Sequence, residues 1–186
     1  MNNCKFKNSV SISILVILLI ITVFLLYYSP IKIILNLKDF IIGIGSSMIY
    51  FINYYISKLL RRSRQLRRAS NPIASLILNK YFRNVYVIII LILMATIEEF
   101  IFRSYLLKLS LLYLNVYMSV IACAILFSMF HFSKFKFIQL TLMGILFTII
   151  TLLTNNLLPV IVSHIINNVI IYIKYKTLRN KINKEN

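Results

Sequence analysis

Acidic residues, glycine, proline and cysteine are all scarce in this sequence of 186 residues, which contains four Asp or Glu, three Gly, three Pro, two Cys and no Trp. The low glycine and proline content excludes a collagen-like chain and a flexible linker. Cys4 and Cys123 lie far apart, and neither belongs to a C-x-x-C pair or a His–Cys cluster. We therefore predict neither a disulfide framework nor a zinc finger.

Charged residues make up only 13% of the chain, whereas 60% is hydrophobic and the mean hydropathy is +0.87. A soluble domain with so few charges would expose one continuous apolar surface, so a soluble protein is excluded. The composition instead predicts an all-α fold, a polytopic bundle of transmembrane helices.

Uncharged windows locate the predicted spans, because a charge at the bilayer centre is disfavoured by ~2.5–3.5 kcal/mol. The last uncharged window, from Phe137 to Ile173, is too long for one helix. The turn signals Asn155-Asn156 and Pro159 predict a break within it. A short apolar stretch, 73–82, is expected to lie at the membrane interface. About six spans follow: Val10 to Tyr28, Phe40 to Ser57, Arg83 to Lys108, Leu109 to Ser133, and two between Phe137 and Ile173.

The distribution of positive charge predicts the orientation of these spans. With both termini in the cytoplasm, 17 Lys and Arg residues lie inside and three lie outside, as the positive-inside rule requires. This orientation accounts for the net charge of +17, so nucleic acid is not a predicted partner. The basic loop from Arg61 to Arg68 is expected to attract anionic lipid headgroups. The predicted location is a cell membrane, with the lipid bilayer as a partner.

Two of the four acidic residues, Glu98 and Glu99, are adjacent inside the third predicted span. Carboxylates within a membrane are by default functional, since they must face water or a bundle interior. Glu99 and Arg103 are spaced i,i+4 in the order that favours an ion pair, whereas Glu98 points about 100° away on a helix. We interpret Glu99 as the structural partner of Arg103 and Glu98 as the free carboxylate.

Both histidines of the chain also fall inside predicted spans. Phe127 with His131 and His164 with Asn168 are i,i+4 pairs, so each pair shares one helix face. A lone buried histidine is often only a packing residue, but two histidines and two carboxylates within spans favour one shared polar site.

This set of residues can carry out hydrolysis in two ways. Glu98 can act as general base on a water that His131 also holds, while His164 and Asn168 donate hydrogen bonds to the oxyanion. Alternatively, Glu98, His131 and His164 ligate zinc, which then activates the water. The H-E-x-x-H zinc motif is absent from the sequence.

The same residues resemble the three motifs of the CPBP (Abi) family of intramembrane proteases, which is related to the type II CAAX prenyl endopeptidase. E-E-x-x-x-R corresponds to Glu98, Glu99 and Arg103. F-x-x-x-H corresponds to Phe127 and His131. H-x-x-x-N corresponds to His164 and Asn168. The ordered set is specific, and the resemblance covers about half of the chain.

The resemblance implies an endopeptidase that cleaves a membrane peptide or protein, with Glu98, His131, His164 and Asn168 as catalytic residues. It favours a mechanism in which a glutamate activates the water without a cofactor over a mechanism that uses zinc. It also implies a role in bacteriocin maturation or self-immunity, and a location in a bacterial plasma membrane. It divides the chain into two N-terminal helices with a basic loop (1–72), a catalytic bundle (73–176) and a basic tail (177–186). Ser104 stands where the family commonly has Gly, and this chain has fewer spans than the larger prenyl endopeptidases. Both departures bear on substrate more than on chemistry.

Two functions of other classes remain as alternatives. A noncatalytic immunity protein would keep the fold and shield a membrane target. A small proton-coupled carrier would use Glu98 and His131 as a relay.

The depths of the site residues conflict with the predicted span boundaries. If the third helix ends near Leu107 and the fourth starts near Asn115, Glu98 lies ~13 Å and His131 ~24 Å from the outer surface. Contact between them then requires tilt, a broken helix, or a third helix with a different end.

Overall fold

A computed structural model describes residues 2–60, 84–131 and 136–185 of the chain. Every secondary-structure element in these ranges is helical, and none is a strand, which confirms the predicted all-α class. A π-helical segment, Phe100–Leu106, joins α3 to α4 without a break. The helices are α1 (Asn2–Tyr28), α2 (Leu37–Leu60), α3 (Asn84–Glu99), α4 (Leu107–Tyr113), α5 (Val116–Phe130), α6 (Phe137–Thr154) and α7 (Leu158–Glu185).

The predicted end of the third helix is wrong. The rod formed by α3, the π segment and α4 continues past Leu107 to Tyr113. Its predicted end was placed at Lys108, but this side chain is exposed and therefore does not interrupt the helix. The helix instead turns back at Asn115, whose Oδ1 accepts a hydrogen bond from the Met118 N–H at 3.0 Å and caps α5.

The predicted break in the last apolar window is confirmed. Helix α6 ends at Thr154, and Asn155 adopts the left-handed conformation with φ of 48°. Pro159 lies in the first turn of α7, where a backbone N–H has no partner within the helix. Helix α7 then extends beyond its predicted end, into the basic C-terminal residues.

Helix α6 is the one described helix that meets, by length and hydropathy, the usual test for a membrane span. Shorter apolar stretches occupy the whole of α5 and parts of α1 and α7. The number of spans and the orientation of the termini therefore stay predictions. The basic loop 61–68 and the apolar stretch 73–82 lie outside the described residues.

Close packing between helices depends on two glycines. A Cβ on Gly43 of α2 would lie 2.7 Å from the Pro159 carbonyl oxygen of α7, and one on Gly144 of α6 would lie 2.8 Å from Ala124 Cα of α5. Small residues allow this approach between helix backbones, as in membrane bundles generally. A core cluster then fills the space between the helices: Ile31, Phe100, Met143, Phe147, Leu157, Val160 and Ile161.

Candidate active site

Glu98, His131 and His164 converge at one point although they come from three separate parts of the chain. Glu98 Oε2 lies 3.8 Å from His131 Nε2 and 3.7 Å from His164 Nε2. Glu98 is near the end of α3, His131 directly follows α5, and His164 is in the second turn of α7. The side chains of Glu98 and His131 remain 26% and 22% exposed, against 8% for His164, so the cluster is open at the first two residues.

The length of the α3–π–α4 rod explains how Glu98 reaches His131. Glu98 precedes the end of the rod at Tyr113 by 15 residues (98 to 113), and His131 follows the start of α5 at Val116 by 15 residues (116 to 131). At 1.5 Å per residue both lie about 22 Å from the turn between the helices. The apparent conflict in depth came from ending the third helix too early.

The Nδ1 atoms of both histidines face oxygen acceptors. His131 Nδ1 lies 2.9 Å from the Phe127 carbonyl oxygen, and His164 Nδ1 lies 2.6 Å from Glu99 Oε1. A carbonyl and a carboxylate only accept, so both Nδ1 atoms carry the proton. The neutral form of His131 then presents the Nε2 lone pair to Glu98, whereas a protonated His164 would donate from Nε2 as well.

The predicted ion pair between Glu99 and Arg103 is present. Arg103 Nη1 lies 3.1 Å from Glu99 Oε2, and both side chains are almost fully buried. Glu99 thus has two partners, because its Oε1 accepts hydrogen bonds from both Arg103 Nη1, at 3.3 Å, and His164. The carboxylate that sequence analysis assigned to structural support also orients a histidine of the cluster.

Aromatic rings surround the buried guanidinium. Arg103 Cζ lies 4.1 Å from the centre of the Phe127 ring and 5.4 Å from that of Phe147. Phe127 also packs against His131, with ring centres 4.6 Å apart. The faces of these rings stabilise the Arg103 guanidinium, whose Nε and Nη2 atoms have no hydrogen-bond acceptor among the described residues. Phe147 was not identified from the sequence, since it stands in a long apolar run with no motif around it.

The helix carrying the glutamates widens to a π-helix immediately after Glu99. The π segment holds both Arg103 and Ser104, and both are fully buried. Single turns of π-helix are rare and occur frequently at functional sites. Sequence periodicity assumes 3.6 residues per turn and does not predict this segment.

Asn168 is the predicted site residue with the weakest connection to the others. It lies one turn beyond His164 on α7 and is half-buried, but none of the hydrogen bonds among the described residues joins it to Glu98, His131 or His164. The preceding residue, Asn167, is buried, and its Oδ1 has no hydrogen-bond partner in the part of the chain that the structure describes. Asn168 nevertheless shares its helix face with His164.

The side chains of this cluster are of types that can bind a metal ion. One carboxylate and two imidazoles, as in Glu98, His131 and His164, are the ligand types of many catalytic zinc sites. Among the described residues, however, no group of three or more His, Cys, Asp or Glu side chains has the arrangement of a metal site. Zinc therefore stays an alternative to be tested.

The fold and this cluster define an all-helical protein with a buried centre of glutamate, histidine and arginine side chains. Residues 81–170, close to half of the chain and including all three motifs, match the model of the type II CAAX prenyl endopeptidase Rce1-like family. This match confirms the resemblance of the three motifs to this family. It is a family of proteases that are membrane proteins. No curated protein and no solved structure gives a significant match.

Proposed function

We propose that this protein is an intramembrane endopeptidase that hydrolyses a peptide bond of a membrane-associated substrate. The observation that carries the proposal is the convergence of Glu98 Oε2 on the Nε2 atoms of His131 and His164, at 3.8 and 3.7 Å. Glu98 Oε2 is buried, has no hydrogen-bond donor among the described residues, and lies beside the lone pair of His131 Nε2, which suits a water molecule that donates to both.

In the proposed reaction Glu98 is the general base. It accepts one proton of the water while His131 Nε2 accepts a hydrogen bond from the other O–H. The water oxygen forms a bond to the carbonyl carbon of the substrate, which gives a tetrahedral oxyanion. The protonated Glu98 then passes its proton to the leaving nitrogen as the C–N bond breaks, so that Glu98 is regenerated.

His164 and Asn168 are the proposed donors to the oxyanion. Because His164 Nδ1–H is committed to Glu99, the ring donates from Nε2 only when it is protonated. A protonated His164 together with Arg103 would balance the charges of Glu98 and Glu99, which makes the buried cluster neutral as a whole. The Asn168 amide would supply the second hydrogen bond.

Cleavage of peptides by the purified protein in lipid bilayers tests the proposal. We expect wild type to cleave members of a mixture of apolar quenched-fluorescence peptides, and Glu98→Gln to lose cleavage while remaining folded, since an amide does not accept the proton. Glu185→Gln, the same substitution near the C-terminus, serves as the matched control and should retain activity. Cleavage by Glu98→Gln at the wild-type rate would overturn the assignment of Glu98. A wild type that protects cells but cleaves nothing would favour the noncatalytic immunity protein.

We also propose that the protein crosses the membrane about six times with both termini in the cytoplasm. The asymmetry of positive charge supports this orientation. The many exposed apolar side chains on α1, α5 and α6 support contact with lipid. The proposed partners are the membrane-associated substrate, the bilayer and anionic lipids at the basic loop.

A further inference from the structure

The extended segment between α1 and α2, residues 29–36, is bound to two parts of the site-bearing bundle. We call it the strap. It lies outside the residues that match the family model. One of its ends contacts the π segment, and the other contacts the turn between α6 and α7.

At the first contact, Ser29, Ile31 and Ser104 form a closed ring of hydrogen bonds. Ser29 Oγ donates to the Ile31 carbonyl oxygen, so the proton between the two serine oxygens, which are 2.6 Å apart, comes from Ser104. The Ile31 N–H donates back to Ser104 Oγ at 2.9 Å. All three residues are buried.

At the second contact, the Asn156 side chain forms hydrogen bonds with both the backbone N–H and the backbone C=O of Ile34. Asn156 Oδ1 accepts from the Ile34 N–H at 2.9 Å, and Nδ2 donates to the Ile34 carbonyl oxygen at 2.7 Å. Nδ2 also donates to Asp39 Oδ2 at 2.7 Å, and the Leu157 N–H donates to the Lys32 carbonyl oxygen at 3.3 Å. Buried polar groups that satisfy one another in this way specify a single arrangement.

The side chain of Ile31, whose backbone takes part in the first contact, belongs to the core cluster together with Phe100 of the π segment, Leu157 just before α7 and Val160 in its first turn. By polar and apolar contacts the strap thus connects the π segment, which directly follows Glu99, with the start of α7, the helix whose His164 bonds to Glu99. Ser104 directly follows Arg103, and Asn156 lies two residues before α7, the helix that carries His164.

We propose that the strap sets the distance between the π segment and α7 and so holds His164 against Glu98 and Glu99. Ser104 and Asn156 are then positioning residues that act through Arg103, Glu99 and His164 without touching substrate. The catalytic part of this inference rests on the proposed peptidase function. Displacement of a catalytic group by about 1 Å lowers rates by up to about 100-fold, so the strap controls turnover more than binding.

An engineered disulfide that forms and opens reversibly tests the positioning role of the strap. In a protein with Cys4→Ser and Cys123→Ser, the pair Ser29→Cys and Ser104→Cys replaces the hydrogen-bond ring with a bridge that forms on oxidation and opens on reduction. The short separation of the two serine oxygens makes a disulfide sterically reasonable. Both states are measured in one protein, so misfolding of a variant cannot produce the difference between them.

Two measurements distinguish the positioning of His164 by the strap from the proposed peptidase function. The first is the peptide cleavage described above, with kcat and KM determined separately. The second is NMR of ¹⁵N-histidine-labelled protein, in which the chain's two histidines give simple spectra and His131→Gln assigns the signals. The short Nδ1–H bond of His164 to Glu99 should give a strongly downfield proton signal in the oxidised state.

We expect reduction to weaken or shift this signal and to lower kcat about 10- to 100-fold with KM nearly unchanged. Ser104→Ala should lower kcat similarly, whereas Ser119→Ala, which removes a buried hydroxyl that has no partner within the described ranges, should not. An identical His164 signal and kcat in both redox states would overturn the proposal. If the signal changes on reduction but wild type cleaves no peptide, the positioning of His164 by the strap stands and the peptidase function fails.

Discussion

Adjacent glutamates acquire different environments because a helix separates successive side chains by about 100°. Glu98 faces two Nε2 atoms and is partly exposed, while Glu99 is fully buried between Arg103 and His164. The Glu98 side chain is partly exposed although its Oε2 is buried, and this oxygen is the one proposed to hold the reactant water. The second carboxylate is committed to two partners, and its removal should affect folding before it affects chemistry.

The substitution Glu99→Gln should therefore lower stability and abundance by leaving the buried Arg103 without a counter-charge. Breaking a buried pair from one side costs ~3–5 kcal/mol. Thermal unfolding in detergent measures the loss, and the double variant Glu99→Gln with Arg103→Met should recover part of it. A melting temperature equal to that of wild type in Glu99→Gln would show that the pair does not stabilise the bundle.

The two neighbouring asparagines of α7 provide a matched test of the oxyanion site. If Asn168 donates to the oxyanion, Asn168→Ala should lower kcat by about 10²–10³ and leave residual turnover. Asn167→Ala removes the adjacent amide, which lies on a different helix face, and should change kcat little. Equal losses in the two variants would argue that the effect is structural.

The same enzyme preparations distinguish water activated by glutamate from water activated by zinc. With zinc, substitutions of Glu98, His131 and His164 should each release the ion and cause similar, near-complete losses. We expect instead that treatment with a strong chelator leaves cleavage intact. Stoichiometric zinc together with activity that is lost on chelation and restored by zinc would contradict the glutamate mechanism.

At the scale of helices, the packing of α2 against α7 depends on the absence of a side chain at Gly43. Gly43→Ala should force the backbones apart, because the new Cβ would lie 2.7 Å from the Pro159 carbonyl oxygen and 2.9 Å from Val162 Cβ. We expect a loss of about 1–3 kcal/mol in the free energy of unfolding.

Gly45 on the same helix is the control for this prediction. A Cβ there meets nothing within 4 Å, so Gly45→Ala should leave stability unchanged or raise it by up to about 1 kcal/mol through helix propensity. The melting temperature of Gly43→Ala should therefore be lower than that of Gly45→Ala. If both fall equally, the close approach of α2 and α7 does not contribute to stability.

For the whole molecule, the distribution of charge predicts which residues face each side of the membrane. Asn155→Cys, in the turn between α6 and α7, should react with an impermeant thiol reagent only from outside, and Lys181→Cys only from the cytoplasm. Intact cells and inverted vesicles provide the two measurements, in a protein whose native cysteines are replaced by serine. Labelling of both positions from one side would exclude the proposed topology.

The sequence alone determined the class of the protein and the identity of the polar residues in its bundle. Composition implied helices, because a chain this apolar must satisfy its backbone hydrogen bonds within each segment. Glu98, Glu99 and Arg103 were recognisable since carboxylates are scarce and their spacing matches a helix. The ion pair and the break at Asn155 follow from interactions between residues close in sequence, which local patterns record.

Only the tertiary structure decided how these residues meet. The contact between Glu98 and His131 requires a rod that continues past Lys108, and the π segment after Glu99 has no periodic signal. The bond of Glu99 to His164 and that of Ser104 to the strap join residues 65 and 73 to 75 positions apart. Such contacts depend on helix packing, and a single sequence carries no local pattern for the distance between two helices.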